Sequence, residues 1–274
     1  MEYKLIRNDI TNMEVDAVVL PANTGLKIGS GTSKAIFEKA GRKELEAACK
    51  KIGKTAVGNT VVTEAYGLDA SFILHSVVPK WTDGEHGEIE MLSKAYLSAL
   101  VMADDLQCRS IAIPLLCSGN NGFDLELAYH IAKESIKSYD AMNRLTDVYL
   151  VVYSTEVVAM LKRQGVYVEE HIDGWYVINK DERHITPLQA LLEQGKGVAE
   201  LYIQDGKEYV LDYAGKALQI LEEPETRRKI ESLAAQCAKA YIQKKITPKI
   251  GGAVKGVLAD TKTTKISGSM QNKK

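Results

Sequence analysis

The sequence predicts an α/β fold over residues 1–165, a layered sheet covered by helices, followed by a smaller α+β extension. Three observations lead there. Strand-like and helix-like segments alternate as far as Gly165, the pattern of a layered α/β sheet. Several strand-like segments, AVVLPA, SIAIPLL and VYLVVY, are nearly continuous apolar runs, as expected of strands covered on both faces. Hydrophobic residues make up 45% of the 274-residue chain against 26% charged, so a large core fits under an ordinary solvated surface.

In chain order, Tyr3 to Arg7, Ala17 to Pro21, Thr60 to Glu64, Phe72 to Val78, Ser110 to Leu116 and Asp147 to Tyr153 read as strands. A helix begins near Ser33. Ile89 to Asp105 sets Ile89, Leu92, Ala95, Tyr96, Ala99 and Leu100 on one helical face, and Leu125 to Tyr139 does the same with Leu127, Ile131 and Ile136, so both helices cover a sheet. After Gly165 sustained apolar periodicity fades. PLQALLEQ reads as a short helix ended by Gly195. VAELYIQ and EYVLDYA flank Asp205-Gly206, a dipeptide suited to a tight hairpin. Pro224 opens a further helix whose apolar positions, Ile230, Leu233, Ala234, Cys237, Tyr241 and Ile242, run toward Lys245. The expected organisation is therefore a domain over 1–165, a small α+β extension over 166–246 and a basic flexible tail over 247–274. From Lys239 onward there are nine Lys, no Arg and a single acid, Asp260, the composition of a solvated segment.

Charge and composition exclude several classes. A formal net charge of −1 gives no bulk electrostatic reason to seek nucleic acid or a bilayer as partner; only the Lys-rich tail offers nucleic acid a surface. The opening residues, MEYKLIRND, lack the charged-then-apolar pattern of a signal peptide, and no apolar run approaches the ~18 residues of a membrane span. A cytoplasmic location is the expectation. The four cysteines, Cys49, Cys108, Cys117 and Cys237, form no CxxC pair and are expected to be free thiols. His171 and His184 have no Cys near them, so neither a metal nor a cofactor is expected. No GxGxxG follows the first strand and no GxxxxGK[ST] occurs, which argues against a nucleotide-dependent enzyme of ordinary doubly wound type.

The chemistry concentrates in two loops at the C-terminal ends of strands, the edge at which α/β sheets bind ligands. In PANTGLKIGSGTSKAIF an apolar strand runs through Asn23 to Gly29, Ser30, Gly31 and Thr32, and a helix follows. Glycines let backbone amides approach a ligand, and a helix start adds unsatisfied N–H donors, so an anion is the natural guest. In LLCSGNNGFDLELA the buried strand ends and Ser118, Gly119, Asn120, Asn121 and Gly122 lead into another helix. Two such loops facing one another hold two phosphates. Taken singly, each is equally consistent with structural punctuation before a helix.

The ordered series NDIT (8–11), LPAN (20–23), GSGTSKAIFEKAG (29–41), VGNTVVTEAYGL (57–68), FILHSVVPKW (72–81), SIAIPLLCSGNNGFD (110–124) and DVYLVVYS (147–154) resembles the macro domain family along almost the whole of residues 1–165. The resemblance implies a three-layer α/β/α domain with a six-stranded mixed sheet and a cleft for ADP-ribose across its top. By the same resemblance Asp9 accepts a hydrogen bond from the adenine amino group, with the Ile10 backbone beside it. A carboxylate suits that role because it only accepts. Tyr153 lies against the adenine face. Gly29, Ser30, Gly31 and Thr32 wrap one phosphate, and Ser118, Gly119, Asn120, Asn121 and Gly122 the other. Phe123 packs near the second ribose and Asn23 hydrogen-bonds that ribose's hydroxyls. Read from the residues alone, Asp9 is also a turn cap, Tyr153 a core residue and Asn23 a turn residue.

The pattern departs from the family around the distal ribose. The Asp that hydrolytic members commonly carry after the glycine loop is Ser33 here, Leu20 replaces the first Asn of NAAN, Asn120 and Asn121 replace an apolar and aromatic pair, and Val78 replaces a glycine. A hydroxyl is not a general base near neutral pH without a partner base. Two readings of the function stay open: a reader of ADP-ribose or ADP-ribosylated protein, or a hydrolase of ADP-ribosyl or O-acetyl-ADP-ribose esters in which Asn23, with Ser33, positions water. A third class, an interaction adaptor acting through the extension, is also compatible. His75 and Cys117 are expected to be packed core residues. Nothing in the sequence addresses the oligomeric state.

Overall fold

The computed structural model describes residues 1–171, 176–177 and three further positions, Arg228, Ser232 and Ala235. The chain divides into two units, Met1–Ala238 and Lys239–Lys274, and every described residue belongs to the first. The expected hairpin about Asp205-Gly206, the helix ended by Gly195 and the Lys-rich tail lie outside the described residues. Arg228, Ser232 and Ala235 are helical and exposed; the apolar positions named for the helix expected from Pro224 lie outside the described residues.

The strands are β1 (Lys4–Arg7), β2 (Met13–Glu14), β3 (Ala17–Ala22), β4 (Thr60–Glu64), β5 (Phe72–Val77), β6 (Ser110–Pro114), β7 (Asp147–Val152), β8 (Glu169–Glu170) and β9 (Tyr176–Val177). The helices are α1 (Thr32–Ala40), α2 (Arg42–Ile52), α3 (Glu88–Asp105), α4 (Leu125–Ser138) and α5 (Thr155–Arg163). One sheet runs β4-β5-β3-β6-β7-β1-β8, while β2 and β9 pair separately. All neighbours in the large sheet are parallel except the β4–β5 pair at one edge, so the sheet is mixed, as expected. The six expected strands are all present, and the count is corrected to seven by β8. Two glutamates carry no hydrophobic period; β8 is recruited instead by backbone pairing with β1 and by Glu170, which binds Arg7 at 2.8 Å and Lys162 at 2.6 Å.

The alternation along β5 shows why the sheet is sandwiched. Ile73 and Val77 join the cluster that holds Ile36 and Phe37 of α1 and Leu45 and Cys49 of α2, and His75 packs edge-on against Phe37. Ser76, on the opposite face, donates to the Ala95 carbonyl of α3. Successive strand residues point to opposite faces, so helices cover both sides and the expected three-layer arrangement follows. α2 was not evident in the sequence because RKELEAACKKI buries only Leu45 and Cys49.

Two buried carboxylates fix the end of the sheet away from the ligand edge. Asp104 accepts the amides of Met142, Asn143, Arg144 and Leu145 and the Tyr139 hydroxyl; Asp16 accepts the amides of Arg109 and Ser110. Hydrogen bonds to charged acceptors are worth about 1.5–3 kcal/mol each, enough to hold these connections rigid. At the other end the parallel strands β1, β3, β6 and β7 stop along one edge. β3 pairs with β5 on one side and β6 on the other, so the loops after β3 and β6 leave neighbouring strands at a topological switch point, where such sheets open a crevice.

Candidate functional site

The first loop ends on an uncapped helix. The N-cap of α1 is Gly31, with φ of +55° and no side-chain cap. Only glycine takes that backbone without strain, and the missing cap leaves the first-turn amides of α1 open, a seat for an anion. α4 differs, because Asp124 caps its own helix by accepting from the Leu127 amide at 3.0 Å. Buried Ser33 fixes the first loop: its Oγ accepts the Gly29 amide at 3.1 Å.

The second loop turns at Cys117, whose φ is +64° without being glycine. The turn is held by Ser118, whose Oγ donates to the Leu115 carbonyl at 2.7 Å, and by the Asn121 carbonyl, which accepts the Trp81 amide at 2.8 Å. The loops meet through one bond, Asn120 Nδ2 donating to Ser30 Oγ at 2.9 Å.

Between them lies a cleft in two halves that share Gly31, Thr32, Leu115, Ser118 and Gly119. The first half, about 500 Å³, is lined also by Asn23, Gly29, Ser30, Ser33, Asn120 and Asn121. The second, about 470 Å³, is lined by Asp9, Ile10 and Tyr153, with Val151, Val152 and Val157 as an apolar wall. The structure thus brings together Asp9, Ile10, Asn23, Gly29, Ser30, Gly31, Thr32, Ser33, Ser118, Gly119, Asn120, Asn121 and Tyr153. Gly122 and Phe123 line neither half. Phe123 is buried and packs edge-to-face on Trp81, with ring centroids 4.9 Å apart. Sequence reasoning missed Lys80, a cation lining the first half, and Asn8, Pro114 and Ser154 in the second. Lys80 sits in VVPKW just past the end of β5, and strand-end position is the signal that identifies it.

The polar side chains of the two halves are committed differently. Asp9 uses Oδ1 to accept both the amide and the hydroxyl of Thr11 at 2.9 Å, capping the short 3-10 turn Ile10–Asn12. Its Oδ2 has no partner among the described residues. Tyr153 is 69% exposed. Asn23 instead donates Nδ2 to the Lys27 carbonyl at 2.6 Å and accepts the Gly25 and Lys27 amides at 3.1 and 3.2 Å on Oδ1. Ser33 serves Gly29, and no basic side chain joins it among the described residues.

Cys117, which lines the first half of the cleft, and His75, on β5, are inert. Burial pushes the Cys117 thiol up to about 12, with the Asn121 amide opposing weakly, so the reactive thiolate is scarce at neutral pH. His75 is fully buried, bonds Thr63 Oγ1 at 2.9 Å and is driven down to about 3 by burial; it is a neutral packed residue, not a base. Asp83, His86 and Glu88 lie together before α3, but Glu88 is occupied: its carboxylate accepts the amides of Thr82 at 3.0 Å and His86 at 2.8 Å. Burial pushes its carboxyl up, and the surrounding amides outweigh that and bring it to about 2.

Comparison with known proteins gives consistent matches. The model of the Macro domain family matches residues 19–132. A macro domain-containing protein of Chlorobaculum tepidum is 40% identical over 139 residues, covering 51% of this chain and 80% of the relative. A Salmonella gallinarum protein named O-acetyl-ADP-ribose deacetylase is 36% identical over 165 residues, covering 58% of this chain and 92% of the relative. Among solved structures, the Oceanobacillus iheyensis macrodomain with ADP aligns with a TM-score of 0.54 at 26% identity, over 58% of this chain and 87% of that one. The Trypanosoma brucei macrodomain in complex with ADP-ribose aligns with a TM-score of 0.51 at 26% identity, over 59% and 68%.

Proposed function

The chain belongs to the macro domain family, and from that premise we propose that its cleft binds ADP-ribose, free or carried on a protein, as a reader of that group. The observation that carries this is the continuity of the cleft across both glycine loops: residues 31–32 and 118–119 line both halves. A diphosphate seated there meets the open amides of α1, where the helix dipole favours negative charge. One arm of the ligand then runs into the half with a free carboxylate oxygen on Asp9, an apolar wall and an exposed Tyr153, which suits a flat base bearing an amino donor. The other arm lies toward Asn23, Ser33 and Lys80. Relatives that carry the same module include a macrodomain solved with ADP-ribose. Cytoplasmic residence goes with this reading, because the described cysteines are free and buried and a reducing compartment keeps them so.

The second reading, hydrolysis of an O-acetyl-ADP-ribose or ADP-ribosyl ester, is supported by the relatives named O-acetyl-ADP-ribose deacetylase. In this chain Asn23 and Ser33 would position water without a protein base, so the general-base contribution of about 10²- to 10⁴-fold is missing, and the reader function is preferred. Calorimetric titration of the full chain with ADP-ribose, ADP and NAD tests binding, with ADP-ribose expected to bind most tightly and at one site. Incubation with O-acetyl-ADP-ribose, followed by detection of released acetate, tests turnover; sustained release abolished by Asn23→Ala establishes the hydrolase instead.

A further inference from the structure

The segment that follows α5 returns to the cleft. β8 lies parallel to β1 with Ile6 opposite Glu169 and Arg7 opposite Glu170, and the His171 amide donates to the Arg7 carbonyl at 2.9 Å. Because the strands are parallel, β8 ends at the same sheet edge as the cleft. Six residues past Arg7 the chain enters β2, where Met13 pairs with Tyr176 and Glu14 with Val177. Between those two anchor points lie Asn8, Asp9 and the turn Ile10–Asn12, the loop that lines the second half of the cleft. Glu170 adds side-chain anchors on Arg7 and Lys162, and His171 Nε2 lies 2.6 Å from Glu169 Oε1.

We propose that the two paired stretches, residues 169–171 on β1 and residues 176–177 on β2, act as a positioning strap that holds the loop carrying Asp9 and Ile10 at both of its ends and so sets the orientation of the adenine-recognising carboxylate. This inference rests on the ADP-ribose reading above. It assigns the first part of the extension a role in base selection. A loop held only by its own turn explores many conformations, and each residue ordered in advance removes about 1–2 kcal/mol of backbone entropy from the cost of binding. The strap supplies backbone pairing on either flank of five such residues. Coupling of this kind is reciprocal: if the strap strengthens ADP-ribose binding, ADP-ribose strengthens the strap by the same factor.

The test uses the full chain and two ligands, ADP-ribose and its hypoxanthine analogue, which lacks the amino group that Asp9 receives. His171→Pro removes the donor to Arg7 while leaving the preceding residue extended, and Glu170→Gln weakens the ion pairs. The expected result is a loss of ADP-ribose affinity of about fivefold or more together with a shrinking preference for adenine over hypoxanthine, which general destabilisation does not produce. Equal affinity and undiminished preference in both variants overturns the strap while leaving the binding function intact. Failure of the unaltered chain to bind ADP-ribose overturns the underlying reading itself. Should either variant fail to fold, hydrogen exchange of the unaltered chain decides: ADP-ribose is expected to slow amides in residues 169–171 and 176–177, and unchanged exchange there with saturated ligand refutes the coupling.

Discussion

The two halves of the cleft share a backbone floor but spend their polar groups in opposite ways. In the half that holds Asp9 and Tyr153, a carboxylate oxygen and an aromatic face remain available. In the half that holds Asn23 and Ser33, the side chains expected to do chemistry hold their own loop together. On the proposed reading the contrast separates recognition from catalysis, with the Asp9 half selecting the ligand and the Asn23 half retaining it. No carboxylate or imidazole, the groups that would serve most directly as a base for hydrolysis, is among the residues lining that half.

The largest expected effect breaks the floor common to both halves. Gly31→Glu places a side chain on a backbone with φ of +55° and ψ of −128°, at a cost of about 1–3 kcal/mol, and sets a negative charge in the anion seat, where like-charge contact costs several kcal/mol more. ADP-ribose binding should vanish in calorimetry. Retained binding would show that the diphosphate sits elsewhere.

Next in size is the acid limb of stability, which separates the cleft from the sheet beneath it. The folded value of His75, about 3, lies below its unfolded value of about 6.5. The unfolded chain therefore binds the extra proton, and stability present above about pH 6.5 is lost as pH falls toward 3, by roughly 3–5 kcal/mol. Urea unfolding across that range checks the slope, and His75→Asn should flatten it.

Asp9→Asn keeps an oxygen to cap Thr11 but sets an amide where a carboxylate is expected to receive the adenine amino group. Affinity should fall about tenfold, as for one charge-assisted hydrogen bond. Lys80→Ala, at the other end, removes an exposed cation and should cost less, about 1 kcal/mol or below, with the difference fading as salt rises. If Lys80→Ala proves the more damaging, the assignment of recognition to the Asp9 half is reversed. The smallest effect belongs to Asn23→Ala, which loosens a turn and should change ADP-ribose affinity no more than about threefold.

Much of the site was legible because loop chemistry is local. Gly29 to Thr32 and Ser118 to Asn121 declare themselves as glycine-bearing turns between a buried strand and a helix, and the continuous apolar runs place those strands inside the sheet. What stayed hidden depends on partners far away in sequence. Asn120 reads as a substitution in a loop, yet its bond to Ser30 joins residues ninety apart. Phe123 is a ribose contact only by the family resemblance, and its edge-to-face partner Trp81 is forty-two residues away in sequence. β8 has no apolar residue to advertise it and is visible only through Arg7, Lys162 and the β1 backbone. Asn23 is ambiguous between turn and ligand for a physical reason: a side-chain amide can satisfy a turn or a sugar hydroxyl with the same two atoms, and here both serve the turn.

A titration followed by amide chemical shifts tests the shared floor most directly. With ADP-ribose added to the full chain, the amides of residues 8–10, 29–32 and 118–121 should move together along one saturable curve. Movement confined to one loop, or drifting without saturation, would contradict a single ligand clasped by both loops and reaching Asp9.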